Sequence, residues 1–281
     1  MPSHLNMYTR ILITSLLLLA HGTALGAEIR TPQWELSLAS GRGVIENPLE
    51  GRADGETFLL PSLSYYGKRF FFSNLTAGYS LVENKRFYID LIAQPNEDGL
   101  FFQLDKPAVA AGSVSIFMPL AQAPEVSEID RRVSLMAGAS STLVSGMADL
   151  SFSWLHDVTG VHHGSEVHLS IDKQYGFLGG ALGWGIGAVH KDTDLVDYYY
   201  HFREEEAGAF AERYALAHPP GDVTDQYARL HFSYPLGKGF ALRLAGRYNH
   251  FDLDGRLPRF IRKSETLSWF AGIQYSIGSG R

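Results

Sequence analysis

Apolar and polar residues alternate with a period of two along most of this chain, in segments of roughly ten residues. The last segment is the clearest. Leu267, Trp269, Ala271, Ile273, Tyr275 and Ile277 fall on one side, and Thr266, Ser268, Phe270, Gly272, Gln274 and Ser276 on the other. Phe240, Leu242, Leu244, Gly246 and Tyr248 oppose Ala241, Arg243, Ala245, Arg247 and Asn249 in the same way. Ala228, Leu230, Phe232 and Tyr234 oppose Tyr227, Arg229, His231 and Ser233. Further back, Leu182, Trp184, Ile186 and Ala188 alternate with glycines, Val167, Leu169 and Ile171 with polar residues, and Leu150, Phe152 and Trp154 with serines. Segments around Leu135, Ile89 and Leu36 continue the pattern. A soluble sandwich also alternates. Strand length near ten and aromatic residues at strand ends favour strands that cross a membrane, with one face for lipid and one for a polar interior.

The fold class expected is therefore all-β, a transmembrane antiparallel up-and-down β-barrel. Eleven strands can be counted. Closure without a free edge takes an even number, so about twelve are expected, with ten as the alternative. Short turns at Tyr66-Gly67-Lys68-Arg69, Lys173-Gln174-Tyr175-Gly176 and Pro235-Leu236-Gly237-Lys238 would face the periplasm. Long connections at 42–56, 192–222 and 252–263 would face outward, the second carrying a short acidic helix from Glu204 to Arg213. The stretch 95–132 is ambiguous, with Val114-Ser115-Ile116-Phe117 as a candidate strand.

The amino terminus explains how such a chain is exported. Arg10 precedes ten apolar or small residues, 11–20, and then small residues including Ala24 and Gly26. This is the pattern of a secretory signal peptide covering 1–26, leaving a barrel domain at 27–281. The apolar stretch is too short to span roughly 30 Å of hydrocarbon comfortably. Composition then excludes whole classes. With no cysteine there is no disulfide framework, thiol catalysis or lipidated cysteine. A net charge of -6 argues against nucleic acid as a partner. The lipid of the outer membrane of a Gram-negative bacterium is the partner that the pattern itself implies.

Few residues suggest chemistry. His162, His163, Glu166 and His168 form the one dense histidine group and are weak metal candidates, since imidazole suits Zn²⁺ or Ni²⁺. Their spacing matches no closed zinc motif, so a solvated loop is the preferred reading. Glu166, Asp172, Arg229, Arg243 and Arg247 should line the lumen, where opposite charges pair and narrow it. A selective pore built on the arginines is the alternative. Asp197, Tyr198, Tyr199 and Tyr200 read as an outer aromatic girdle or loop packing, or else as a recognition patch. Ser153 and His156 lie near Asp157 but project to opposite faces of one strand, so no triad assembles there. No enzyme and no cofactor are expected.

With the hairpins laid out, the chain resembles the MipA/OmpV family of outer-membrane proteins. The resemblance rests on Trp34 to Gly51 leading into Leu60-Pro61-Ser62-Leu63-Ser64-Tyr65-Tyr66-Gly67-Lys68-Arg69-Phe70-Phe71-Phe72. It rests also on Asp197-Tyr198-Tyr199-Tyr200, and on the terminal hairpins from Tyr227 to Ile277. His201 stands where the family commonly has glycine, and Gly278-Ser279-Gly280-Arg281 extends past the usual aromatic end. The resemblance implies an outer-membrane scaffold linking a lytic transglycosylase to a murein synthase. Binding would then use the periplasmic turns, with Gly67, Lys68, Arg69, Gly237 and Lys238 as candidate contacts. A small-solute channel and a surface adhesin or receptor presenting the Asp197 loop are the alternatives.

Overall fold

A computed structural model describes residues 33–104, 129–203, 206, 219, 221–252 and 260–278. The expected signal peptide, the candidate strand at Val114 to Phe117 and nearly all of the acidic segment from Glu204 to Arg213 lie outside these. The described residues form twelve strands: β1 (Gln33–Ile45), β2 (Gly55–Tyr66), β3 (Phe70–Ser73), β4 (Thr76–Glu83), β5 (Phe87–Pro95), β6 (Leu135–Leu143), β7 (Asp149–Asp157), β8 (Ser165–Phe177), β9 (Gly180–Lys191), β10 (Val223–Gly237), β11 (Phe240–His250) and β12 (Glu265–Gly278). Each pairs antiparallel with its neighbours in sequence, and β1 pairs with β12. The sheet is closed, which is how strands satisfy their backbone groups in lipid.

The alternation read from the sequence sorts cleanly into two faces. Leu36, Leu63, Leu91, Phe152, Leu169, Ile186, Leu230, Leu244 and Leu267 are all exposed, the reverse of a soluble core and the requirement of a lipid face. Thr266, Ser268, Ser276 and Asp172 face inward and are buried. Trp34, Tyr65, Phe70, Phe177, Tyr234, Phe240 and Tyr275 are exposed near one set of strand ends and form an aromatic girdle there. That end carries the short turns 67–69, 84–86, 144–148, 178–179 and 238–239, together with the start of β1 and the end of β12. It is the periplasmic end by the rule that short turns lie there.

Two turns sit further along the chain than their composition suggests. Lys173 to Gly176 lie within β8, whose ladder with β9 continues to Phe177 opposite Gly180. Leu178 and Gly179 make the turn, both with positive φ (50° and 79°), the geometry of a two-residue hairpin that matches strand twist. Likewise β10 runs through Gly237, and Lys238 with Gly239 turns the chain. Pro235, which has no N–H for a ladder, is accommodated where the register shifts beside it.

Two helices fold back into the outer mouth. α1 (Glu97–Phe101) follows β5, and α2 (Thr193–Tyr200) follows β9. Each is started by a side chain: Asn96 Oδ1 accepts from Gly99 N–H at 3.0 Å, and Asp192 Oδ1 from Leu195 N–H at 3.1 Å. Their apolar stripes meet. Leu100, Phe101, Phe102, Leu195, Val196, Tyr199 and Tyr200 pack with Ile45, Leu49, Phe251, Phe260 and Ile261 from the other outer loops into one buried cluster. The conventional core of this protein is thus a plug inside the outer half of a barrel.

Candidate functional site

The plug meets the barrel wall through a set of buried charges. Asp98 Oδ1 accepts from Lys191 Nζ at 2.6 Å and also from the Tyr200 hydroxyl. Lys191 Nζ donates to Asp225 Oδ2 at 2.7 Å as well, so one ammonium holds carboxylates from α1 and β10. Beside it, Arg247 grips Glu97 with two bonds of 2.6 and 3.1 Å, the forked pairing that guanidinium favours. Asn96 Nδ2 donates to Glu166 Oε2 at 3.2 Å. Wall residues on β9 and β11 therefore reach α1, β8 reaches its cap Asn96, and β10 is tied in through Lys191. The Tyr200 hydroxyl is held far above its usual pKa, by burial first and by the charge of Asp98 second, so it donates and does not ionise.

Below the plug the lumen narrows by direct pairing. Arg229 Nε donates to Asp172 Oδ1 at 3.0 Å, and Ser170 donates to the other oxygen at 2.7 Å. The glycines of β9 make this possible. A Cβ on Gly185 would stand 2.0 Å from Asp172 Oδ1, one on Gly183 2.1 Å from the His231 ring, and one on Gly187 2.6 Å from the Tyr227 ring. The small residues therefore leave room for large polar side chains on the neighbouring strands. Arg243 also projects inward, nearer the periplasmic end, and is half-buried.

The histidines do not assemble. His162 is buried, with Nε2 2.9 Å from Ser134 Oγ and Nδ1 accepting from Gly164 N–H at 2.9 Å. Burial holds its pKa below the usual value, in keeping with a neutral ring whose proton is on Nε2. Such a ring donates to Ser134 and is not its base. His163 sits on the adjoining loop with φ of 58°, while His168 lies 2.9 Å from Glu166 inside the barrel. Among the described residues, no group of three or more potential ligands is arranged for a metal ion.

Asp197, Tyr198, Tyr199 and Tyr200 belong to α2, inside the outer loop and not where a strand leaves the bilayer. Tyr199 and Tyr200 are 0% and 1% exposed and face the plug, while Asp197 stays exposed. Arg132 N–H donates to the Tyr198 hydroxyl at 3.1 Å and the Tyr199 hydroxyl donates to Arg132 O at 3.0 Å. Sequence reading missed Asn96, Glu97, Asp98, Lys191 and Asp225. Lys191 and Asp225 were within reach, because they continue the inward parity of Gly187 on β9 and Tyr227 on β10. The spacing of Leu195, Val196, Tyr199 and Tyr200 was also a helical stripe in plain view.

The periplasmic rim differs in character. Lys68 and Arg69 stand exposed on the β2–β3 turn, and Lys238 on the β10–β11 turn, with Gly67 and Gly237 shaping them. The β4–β5 turn adds Lys85 and Arg86, which sequence reading passed over. Asn84 Oδ1 accepts from the N–H groups of Arg86 and Phe87 at 3.0 Å each, closing that turn with both cations outward. Around the closed sheet these turns flank the β12–β1 seam, so the cations occupy one arc of the rim.

Among known proteins, the chain is similar to an outer-membrane protein of Escherichia coli. The Escherichia coli K12 protein named "Putative outer membrane protein YiaT" is 23% identical over 252 residues, covering 86% of this chain and 90% of that one. Among solved structures, a loop-deletion mutant of the Vibrio cholerae outer membrane protein OmpT aligns over 88% of this chain and 99% of its own, at 10% identity and a TM-score of 0.36. Acinetobacter baumannii OccAB2 aligns over 89% and 65%, at 10% identity and a TM-score of 0.35. Likenesses at that level carry no functional argument. The family described as MltA-interacting protein MipA matches residues 38–277, nearly the whole described barrel. This chain is an outer-membrane β-barrel and belongs to the MipA family.

Proposed function

We propose that the barrel is a non-catalytic scaffold that holds periplasmic murein machinery, a lytic transglycosylase and through it a murein synthase, against the outer membrane. The observation that carries this is the basic arc of Lys68, Arg69, Lys85, Arg86 and Lys238 on adjoining periplasmic turns. Exposed like charges on rigid turns attract an acidic surface and orient it as it arrives. The family is described as MltA-interacting protein MipA, which fits a partner on that side. Among the described residues of the outer mouth, α1 and α2 turn their apolar faces inward. Pairing of Arg229 with Asp172 and of Arg247 with Glu97 opposes the small-solute channel reading.

Capture of a purified lytic transglycosylase by the refolded barrel tests the scaffold. Reversing Lys68, Arg69, Lys85 and Arg86 to glutamate should weaken capture at least tenfold, and raising salt should weaken the wild type in parallel. Equal capture by the wild type and the reversed variant would reject the rim as the binding face.

A further inference from the structure

Between the plug and the wall lies a small cavity of about 50 Å³. Its side is bounded by Asn74 and Thr76, where the wall is lowest: β3 has only 4 residues, and β2 pairs with it only from Ser64 to Tyr66. Inside, the charges do not balance. Glu97, Asp98, Glu166 and Asp225 face Lys191 and Arg247, with His168 Nε2 2.9 Å from Glu166. Arg247 spends its fork on Glu97, and Lys191 is shared between Asp98 and Asp225. Asp98 is 1% exposed, yet its Oδ2 has no hydrogen-bond donor among the described residues. A buried carboxylate oxygen is ordinarily paired, so a cavity presenting one asks for a donor that carries positive charge.

We propose that this cavity binds a small organic cation through a primary ammonium group. The ammonium has three N–H donors and no acceptor, which matches a site of acceptors in excess. Asp98 Oδ2 takes one bond, Glu166, itself held by Asn96 and beside His168, adds negative charge, and Leu100 and Phe101 offer apolar surface to an attached alkyl group. Arrival is over the low wall at Asn74 and Thr76, not through the plugged mouth. A bare metal ion fits poorly, because no group of described carboxylates and imidazoles is arranged as its ligands.

The test is calorimetric titration of the full mature barrel in non-ionic detergent, with n-butylammonium chloride as probe and n-butanol as its neutral counterpart. Butylammonium should bind saturably and butanol should not. Asp98→Asn should weaken the ammonium at least tenfold while the barrel keeps its folded, heat-modifiable migration on gels. Thr76→Trp fills the low wall without touching the Lys191 pairs and should abolish binding, so it decides the matter if Asp98→Asn fails to fold. Absence of saturable binding, equal binding of butanol, or unchanged affinity in folded Asp98→Asn or Thr76→Trp would overturn the proposal. Transglycosylase capture is read separately and should be the same in Thr76→Trp, so the two ideas fail independently.

Discussion

The outer and inner halves of this barrel solve the same problem differently. Both are filled by inward-facing side chains. The outer half is packed like the interior of a soluble domain, with Phe102, Tyr199 and Phe260 fully buried and carboxylates shared across Lys191. The inner half is held by polar pairs across strands, Arg229 with Asp172 and, on β6 and β7, small hydroxyl groups, Ser140 with Ser153 at 2.9 Å and Thr142 with Ser151 at 2.9 Å. Hydrophobic burial drives the first, and backbone ladders with modest cross-strand pairs hold the second. The difference teaches that the plug is built by loops inside a frame whose own backbone ladders close it.

Mutations should expose that contrast. Lys191→Met would leave Asp98 and Asp225 buried without their shared cation, and breaking a buried pair this way costs about 3–5 kcal/mol. Protease should then cut the outer loops before the barrel loses its heat-modifiable gel shift. Phe102→Ala removes a fully buried ring from the same cluster and should cost about 3–4 kcal/mol, again read first as loop cleavage. Ser140→Ala, which removes one inner hydroxyl bond, should cost under about 1.5 kcal/mol and leave the loops protected. If Ser140→Ala loosened the loops as much as Phe102→Ala, the two halves would not be separate units.

The smallest expected effect is on pH dependence, and it too belongs to the outer half. Burial raises the Glu206 pKa, but the bonds from Arg131 and the Arg203 backbone outweigh it and hold the carboxyl below its usual range. Its contribution is present above the unfolded pKa and is lost as pH falls through the lower folded value. His162 is kept neutral by burial, so below about pH 6.5 the unfolded state binds the extra proton and stability falls again. Acidification from pH 7 should thus raise protease cutting of the outer loops. A loop protection that rose on acidification would contradict both assignments.

How much of this was legible in the sequence follows from the range of each interaction. Period-two alternation is local, so the faces of β7 to β12 and the inward side of Asp172, Arg229 and Arg247 could be read directly. Glycines on β9 were visible, but their purpose depends on His231 and Tyr227 of the adjacent strand. The β8–β9 turn was misplaced because Gly176 and Lys173 resemble turn residues, whereas positive φ at Leu178 and Gly179 is set by ladder length. The charge cluster was invisible because Asp98 and Lys191 lie 93 residues apart and only barrel closure joins them. The rim cations Lys85 and Arg86 became significant only once β4 and β5 were seen to share an end with β2 and β3.

The most direct test of a plugged, non-conducting scaffold is electrical. The refolded mature barrel should be inserted into a planar bilayer and recorded over a range of voltages. The wild type should leave the membrane silent, with conductance steps emerging only when Lys191→Met loosens the plug. Steady conductance steps in the wild type, altered by Arg243→Ala, would contradict it and establish an open lumen lined by that arginine.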